Sequence, residues 1–245
     1  MPDADSAAYS FHNNDIGEEV AAFVDRFGVN LDVPDRKTVG MLFFKRYCAF
    51  FAGVVYTWLH DRHPLNLSFQ NIRYVLNGAN MKYFIVSAEP LPAVAALTNE
   101  ADRDEAYMRH VFREHAAPVI KAVASHTGVS TASLWHSVAY ILAYWKQEWL
   151  LDSPSGEFRT RIGHWFDNAA DLGKPAWLPE RAVNPLTCGF REVADPLHEG
   201  RSILIRKACC LNYKRRDDDD PYCYTCPLIS DELRLEKFMD AHAAN

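Results

Sequence analysis

Apolar residues recur along most of the chain with the spacing of an α-helix. Together with capping residues and glycines, this pattern predicts a series of helices. They run from Asp15 to Gly28, from Thr38 to about His60, from about Glu100 to Thr127, from Ser130 to about Leu151, over 156–172, and from Asp231 to about Ala243. The second is apolar nearly all round, which indicates burial at the centre of the fold. Pro118 is expected to kink or split the third, because proline has no amide hydrogen and clashes with the preceding turn.

Shorter stretches alternate between apolar and polar residues and predict strands. Residues 72–76 form one such strand, Asn77-Gly78-Ala79-Asn80 supplies a turn, and Met81 to Ser87 returns. A phase switch at Gln70-Asn71 indicates a bulge, and 203–205 form another short strand. The predicted fold class is α+β, mostly helical, with a small antiparallel β-sheet and a C-terminal cysteine-rich loop. Residues 1–200 are expected to form the body and 201–245 the C-terminal segment of one compact unit.

Composition and charge narrow the class of protein. Of 245 residues, 49% are hydrophobic, which is ample for a buried core, and the net charge of −6 argues against a general nucleic-acid partner. The first fourteen residues lack the apolar stretch of a secretory signal. The longest apolar run, Tyr47 to Leu59, is too short to span a bilayer. We therefore expect a soluble, cytoplasmic protein, in which clustered cysteines bind metal more often than they form disulfides.

Four of the six cysteines lie close together near the C-terminus, as Cys209, Cys210, Cys223 and Cys226. Thiolates are soft ligands that select zinc, copper(I) or iron–sulfur clusters. Only the second pair has the C-x-x-C spacing of a zinc knuckle. Adjacent cysteines diverge in an extended chain, which suits a two-iron cluster better than a single zinc ion. The spacing favours a [2Fe–2S] cluster and leaves a zinc site or two disulfides as alternatives.

The cysteine block resembles the FhuF family of ferric-siderophore reductases. In both, a basic strand leads into the cysteine pair, here within Arg201–Tyr213, and Leu and Tyr follow it. The segment Leu134-Trp135-His136-Ser137 is similar to the family's Leu-Trp-Gly-Asn helix start, with the last two residues changed, and the apolar helix at 38–60 has a counterpart. The spacer between the cysteine pairs is twelve residues rather than the family's usual ten. A loop tolerates two extra residues within Lys214 to Pro221 at small entropic cost.

The resemblance implies a [2Fe–2S] cluster held by the four cysteines and an oxidoreductase that reduces siderophore-bound Fe(III), releasing Fe(II) for iron uptake. An external donor, a ferredoxin or another reductase, would supply the electrons. Transient peripheral association with the inner membrane or an importer is compatible with it. Basic residues flank the loop, and we expect four of them to hold an anionic ferric siderophore: Lys207, Lys214, Arg215 and Arg216.

Two other functions remain open at this point. A redox sensor could use the same cluster, although the sequence has no basic recognition helix, and a zinc-binding loop could be a purely structural clasp. Cys48 and Cys188 are interpreted as buried thiols and the aromatic stripe at 135–149 as core. His110 and His115 are five residues apart, which is off the helical period, so they are expected to share a face poorly and to form no metal site.

Overall fold

The computed structural model describes residues 8–11, 15–29, 31, 33, 35–78, 80–153, 156–170, 183–215 and 222–243. The helices are α1 (Ile16–Val29), α2 (Arg36–Tyr47), α3 (Ala49–Asp61), α4 (Pro92–Ala95), α5 (Glu100–Met108), α6 (Ala117–Thr127), α7 (Thr131–Asp152), α8 (Gly156–Ala169) and α9 (Asp231–His242). A π-helical segment, Arg109–Ala116, joins α5 to α6. The strands are β1 (Ala8–Tyr9), β2 (Ile72–Asn77), β3 (Asn80–Ile85), β4 (Arg191–Ala194) and β5 (Ser202–Ile205). The predicted α+β class, mostly helical, is confirmed.

The apolar segment predicted as one helix is two, α2 and α3, separated at Cys48. The break is slight, since the Cys48 backbone remains near helical and its amide donates to the Phe44 carbonyl at 2.8 Å. Taken together, the 26 residues Arg36–Asp61 are long and apolar enough to cross a membrane by length and composition, which corrects the shorter apolar run read from the sequence. However, 72% of the most apolar window is buried inside the fold, as in the core helix of a soluble protein.

The third predicted helix is continuous from Glu100 to Thr127, but its hydrogen bonds change to those of a π-helix over Arg109–Ala116, immediately before the turn of α6 that contains Pro118. Proline is tolerated in the first turn of α6, where an amide hydrogen has no intrahelical acceptor, and the preceding turns bond from residue i to i+5 instead. That pattern places residues five apart on one face. His110 Nε2 therefore accepts from the Leu67 amide at 2.8 Å, while His115 Nδ1 donates to the Leu67 carbonyl at 2.9 Å. The prediction that these histidines share a face poorly is wrong.

Two small antiparallel sheets occur among the described residues. In the first, β1 pairs with β2 and β2 with β3, with Tyr74 opposite both Tyr9 and Tyr83. The hairpin turn contains Gly78 at φ +58°, a conformation that favours glycine. The phase switch before β2 comes from a turn of 3₁₀-helix, Phe69–Asn71, rather than the predicted bulge. Strand β5 forms as predicted and pairs with β4, a strand that the sequence analysis did not predict.

The large core gathers apolar side chains from α1 to α3, from the helices between α5 and α8, and from the first sheet. A smaller cluster lies between β5 and α9, where Ile203, Ile205 and Phe238 pack together. The two are linked because Ala208 and Leu211, beside the first cysteine pair, pack against the large core. The C-terminal cysteine loop is therefore supported from both sides.

Candidate metal centre

The two cysteine pairs are brought side by side by backbone hydrogen bonds. Strand β5 ends at Ile205, shortly before Cys209. The amide of the residue after the strand, Arg206, donates to the carbonyl of Thr225 at 3.1 Å. A tight turn closes the second pair, since the Cys226 amide donates to the Cys223 carbonyl at 2.9 Å. Residues separated by almost twenty positions in the sequence are thus adjacent in space.

The four sulfur atoms form a continuous group. Cys209 Sγ lies 3.8 Å from Cys226 Sγ, and the Cys210 thiol forms hydrogen bonds with the thiols of both Cys209 and Cys223. Cys210 and Cys226 are buried, whereas Cys209 and Cys223 are half-buried, and all six cysteines of the chain are free thiols. Among the described residues, no group of three or more His, Cys, Asp or Glu side chains has the arrangement of a ready-made metal site. The structure thus brings four soft donors together in one part of the fold.

The environment of the sulfurs separates their acidities. A hydrogen bond from Cys210 lowers the pKa of the Cys209 thiol, helped by the Leu211 amide, which donates to its sulfur at 3.3 Å. The hydrogen bond of Cys223 to Cys210 raises the pKa of Cys223, and burial adds to that increase. Burial also raises the pKa of Cys226. Cys209, half-buried and more acidic than a free cysteine, is therefore the thiol that deprotonates most readily of these three.

Arg206 is a cation beside the sulfurs that the sequence placed only among the flanking basic residues. Its Nε donates to Thr225 Oγ1 at 3.0 Å, and its guanidinium lies 4.1 Å from the centroid of the Tyr140 ring. Although burial alone would lower it, the pKa of Arg206 is raised by the nearby acidic groups of Tyr140, Cys210 and Cys223. The sequence feature that could have pointed to Arg206 is its position directly after β5, because side chains along a strand alternate between its two faces. Arg206 can offset the negative charge of thiolates.

Arg234 of α9 holds the second cysteine pair in place, and no sequence signal distinguished it from a surface arginine. Its side chain is fully buried. It donates to the carbonyl of Tyr224, between the two cysteines of the pair, and at 3.2 Å to the carbonyl of Ile229. Its Nε also donates to Asp231 Oδ1 at 3.1 Å. Three acceptors around one guanidinium fix the path of the chain after the cysteine pair.

The predicted substrate-binding residues have different positions. Lys207 is exposed beside the cysteine loop and Arg215 is half-buried in it, while Arg216 lies outside the described residues. Lys214 Nζ is 3.2 Å from Asp35 Oδ2, the residue that caps α2, so its charge is already paired. Of the predicted substrate-binding residues that the structure describes, Lys207 is the one that is exposed to solvent.

The remaining cysteines and the spacer are also accounted for. Cys48 is buried in the core as predicted, and burial raises its pKa to about 11. Cys188 is half-buried near Lys207, less enclosed than predicted. At the ends of the twelve-residue spacer, the rings of Tyr213 and Tyr222 stack with centroids 5.4 Å apart. That contact brings the beginning and the end of the spacer together near the two cysteine pairs.

Comparison with known protein families identifies the family of this chain. A family model described as ferric iron reductase FhuF-like transporter matches residues 41–196. The chain belongs to the FhuF-like family. The match begins in α2 and ends after β4, so it rests on the helical body and confirms the resemblance from a part of the sequence other than the cysteine block. No curated protein matches this FhuF-like chain.

The family assignment bears on the activity of the protein, whereas the four cysteines lie outside the matched segment. Its description points to ferric reduction as the class of activity for FhuF-like proteins. The four cysteines follow the matched segment. Their role in this FhuF-like protein therefore depends on the geometry of the C-terminal loop described above.

Proposed function

We propose that the protein holds a [2Fe–2S] cluster on Cys209, Cys210, Cys223 and Cys226 and reduces siderophore-bound Fe(III) in the cytoplasm. The observation that carries the proposal is the convergence of four thiols in a chain of the FhuF-like family. Four soft donors in two pairs fit a two-iron cluster, in which each iron takes two thiolates. A cluster held there supplies a one-electron reductant, and ligation by thiolates without histidine favours a low potential.

The substrate explains why one electron is enough. Fe(III) gains one electron and becomes Fe(II), which the hard oxygen ligands of a siderophore hold far less tightly. The metal is then released and the chelate remains intact. An external donor, a ferredoxin or another reductase, must replace the electron after each turnover.

Residues in and around the cysteine loop supply the charge and the support that this role requires. Arg206 and Lys45 bring positive charge close to Cys223 and offset the charge that deprotonated sulfurs add. Arg234 fixes the second cysteine pair. Half-burial of Cys209 and Cys223 leaves one side of the group within reach of a partner in solution, and exposed Lys207 adds attraction for an anionic chelate.

The first test is an anaerobic ultraviolet–visible spectrum of the purified, reconstituted protein with iron, zinc and sulfide quantified. We expect two irons and two sulfides per chain, with visible absorption that dithionite bleaches and ferric siderophores restore. Cys226→Ser should lose iron and sulfide, whereas the matched control Cys188→Ser should keep both. One zinc ion without sulfide would overturn the proposal in favour of a structural clasp. A cluster that no ferric siderophore reoxidises would overturn the reductase activity and favour a redox sensor.

The role of Lys207 has a separate test. Lys207→Ala should raise the KM for an anionic ferric siderophore severalfold, because a charge beside the approach path is lost, and the difference should shrink at high salt. Lys121→Ala, which removes an exposed lysine of α6, is the control. Equal KM values for the two variants, with equal iron contents, would remove Lys207 from the substrate site.

A further inference from the structure

A groove of 720 Å³ opens between α3, α7 and α8, and none of the four clustered cysteines lines it. Aromatic side chains line much of it: Tyr56, Trp145, Trp149 and Phe158. Sites that hold small organic ligands are concave, largely apolar and about 300–1,000 Å³ in volume. The groove meets all three criteria.

The aromatic rings of the groove are only partly buried by the fold. The aromatic stripe of α7 was predicted to be core, and Trp149 is indeed buried, but Trp145 is 38% exposed and Tyr56 is 39% exposed. The rings are held by one another, since the Trp149 centroid lies 6.3 Å from that of Trp145 and 5.5 Å from that of Tyr56. Rigid aromatic surface left open in a concavity is typical of a ligand site.

Small residues keep the α3 wall of the groove open. Ala52 and Gly53 occupy this wall, and a Cβ atom added at Gly53 would meet no atom within 4 Å. Because Gly53 is exposed, its space faces the groove rather than a packed neighbour. A bulky object can therefore lie between α3 and the rings of α7.

The groove is connected to the cysteine loop through α7. Thr225 bonds to Cys223 Sγ at 3.5 Å and to the Tyr140 side chain. From Tyr140, ring centroids follow at 6.5 Å to Tyr144 and 5.6 Å from Tyr144 to Trp145. One continuous series of contacts thus joins a cysteine sulfur to the aromatic wall of the groove.

We propose that this groove binds the ferric siderophore, with the organic shell of the chelate packed on Tyr56 and Trp145. The inference rests on the proposed function and assigns its substrate site. A ferric chelate fits because it is bulky and presents apolar organic surface, and because the contacts through α7 join the groove to the cysteine loop that would supply the electron. Basic residues at the cysteine loop then attract the chelate, and the groove holds it.

Gallium(III) complexes of a tris-hydroxamate and a tris-catecholate siderophore are the probes. Gallium has the charge of Fe(III) and nearly its radius and is not reduced under these conditions, so binding is measured without turnover. By isothermal titration calorimetry, we expect Tyr56→Ala and Trp145→Ala each to weaken binding of at least one complex by about tenfold, which is the loss of about 1.4 kcal/mol. Gly53→Leu should weaken it as well, by filling the groove without removing a ring. Phe84→Ala, which truncates an aromatic residue 52% exposed on β3, should leave affinity unchanged.

The outcomes separate this inference from the proposed function. If all variants bind the gallium complexes as the wild type does, or the wild type binds neither, the groove is not the substrate site, whether or not ferric siderophores reoxidise the protein. If the protein holds no cluster but the variants weaken binding as expected, the groove assignment stands and the reductase proposal fails. Circular dichroism and thermal unfolding identify any variant that binds weakly because it is misfolded. If a ring variant is misfolded, the affinity of Gly53→Leu, which keeps every ring, decides whether the groove is the binding site.

Discussion

Replacing Arg234 by methionine tests how the second cysteine pair is held. Methionine keeps the length and apolar contacts of the side chain but has no donors, so the carbonyls of Tyr224 and Ile229 lose their partner. A buried acceptor without a donor costs about 1–3 kcal/mol. Both residues are only partly buried, so the cost should lie in the lower part of that range, about 1–2 kcal/mol for each carbonyl. For the two carbonyls together, we expect the free energy of unfolding to fall by about 2–4 kcal/mol. For a chain of this size the melting temperature should fall by roughly 5–15 °C.

Arg191→Met is the matched control, because Arg191 also pairs with Asp231, through two hydrogen bonds of 2.8 and 2.9 Å, but on the exposed surface. Exposed ion pairs contribute little to stability, so this variant should unfold nearly as the wild type does. Urea unfolding gives the free energies. Hydrogen–deuterium exchange should show faster exchange around 222–230 in Arg234→Met alone. Equal stability of the two variants, with equal exchange, would refute the argument that the buried guanidinium holds the loop.

Three further predictions concern the body of the protein. Burial lowers the pKa of His115 from 6.5 to about 3, so below pH 6.5 the unfolded chain binds a proton that the folded chain does not, and stability should fall as the pH drops toward 3. In His115→Gln, urea unfolding between pH 7 and about pH 4 should show a shallower loss; parallel curves would exclude this residue as the cause. Gly40→Ala should lower the free energy of unfolding by about 1–3 kcal/mol, since the new Cβ would lie 2.4 Å from Thr127 Oγ1, whereas Gly53→Ala, with open space, should be neutral or slightly stabilising; equal effects in thermal unfolding would contradict this. Ser130→Ala should cost about 1 kcal/mol through loss of the α7 cap, and an unchanged melting temperature would show that the cap is dispensable.

Much of the helical framework is a local property of the sequence. Helix α7 begins after Ser130 and α9 after Ser230, because in each case the serine side chain accepts the amide of the residue three positions later. Pro118 disturbs the regular α-helical hydrogen bonding around it because its ring and missing amide hydrogen act within one turn. The grouping of four cysteines in a short stretch likewise indicates, from spacing alone, the loop in which the sulfur atoms converge.

Residues far apart in the chain decided the rest. Two-residue β1 has no distinct pattern of its own and becomes a strand only by pairing with β2, more than sixty positions away. A π-helical turn reversed the expected placement of His110 and His115.

The sequence by itself determined the helix periods, their caps and the set of soft donors, because these depend on neighbouring residues. Only the tertiary structure showed Arg206 beside the sulfurs, Arg234 buried behind them, and the groove in which Trp145 is exposed. A charge or an aromatic ring has the same sequence signature inside and outside the fold, and its environment depends on which distant segments pack around it.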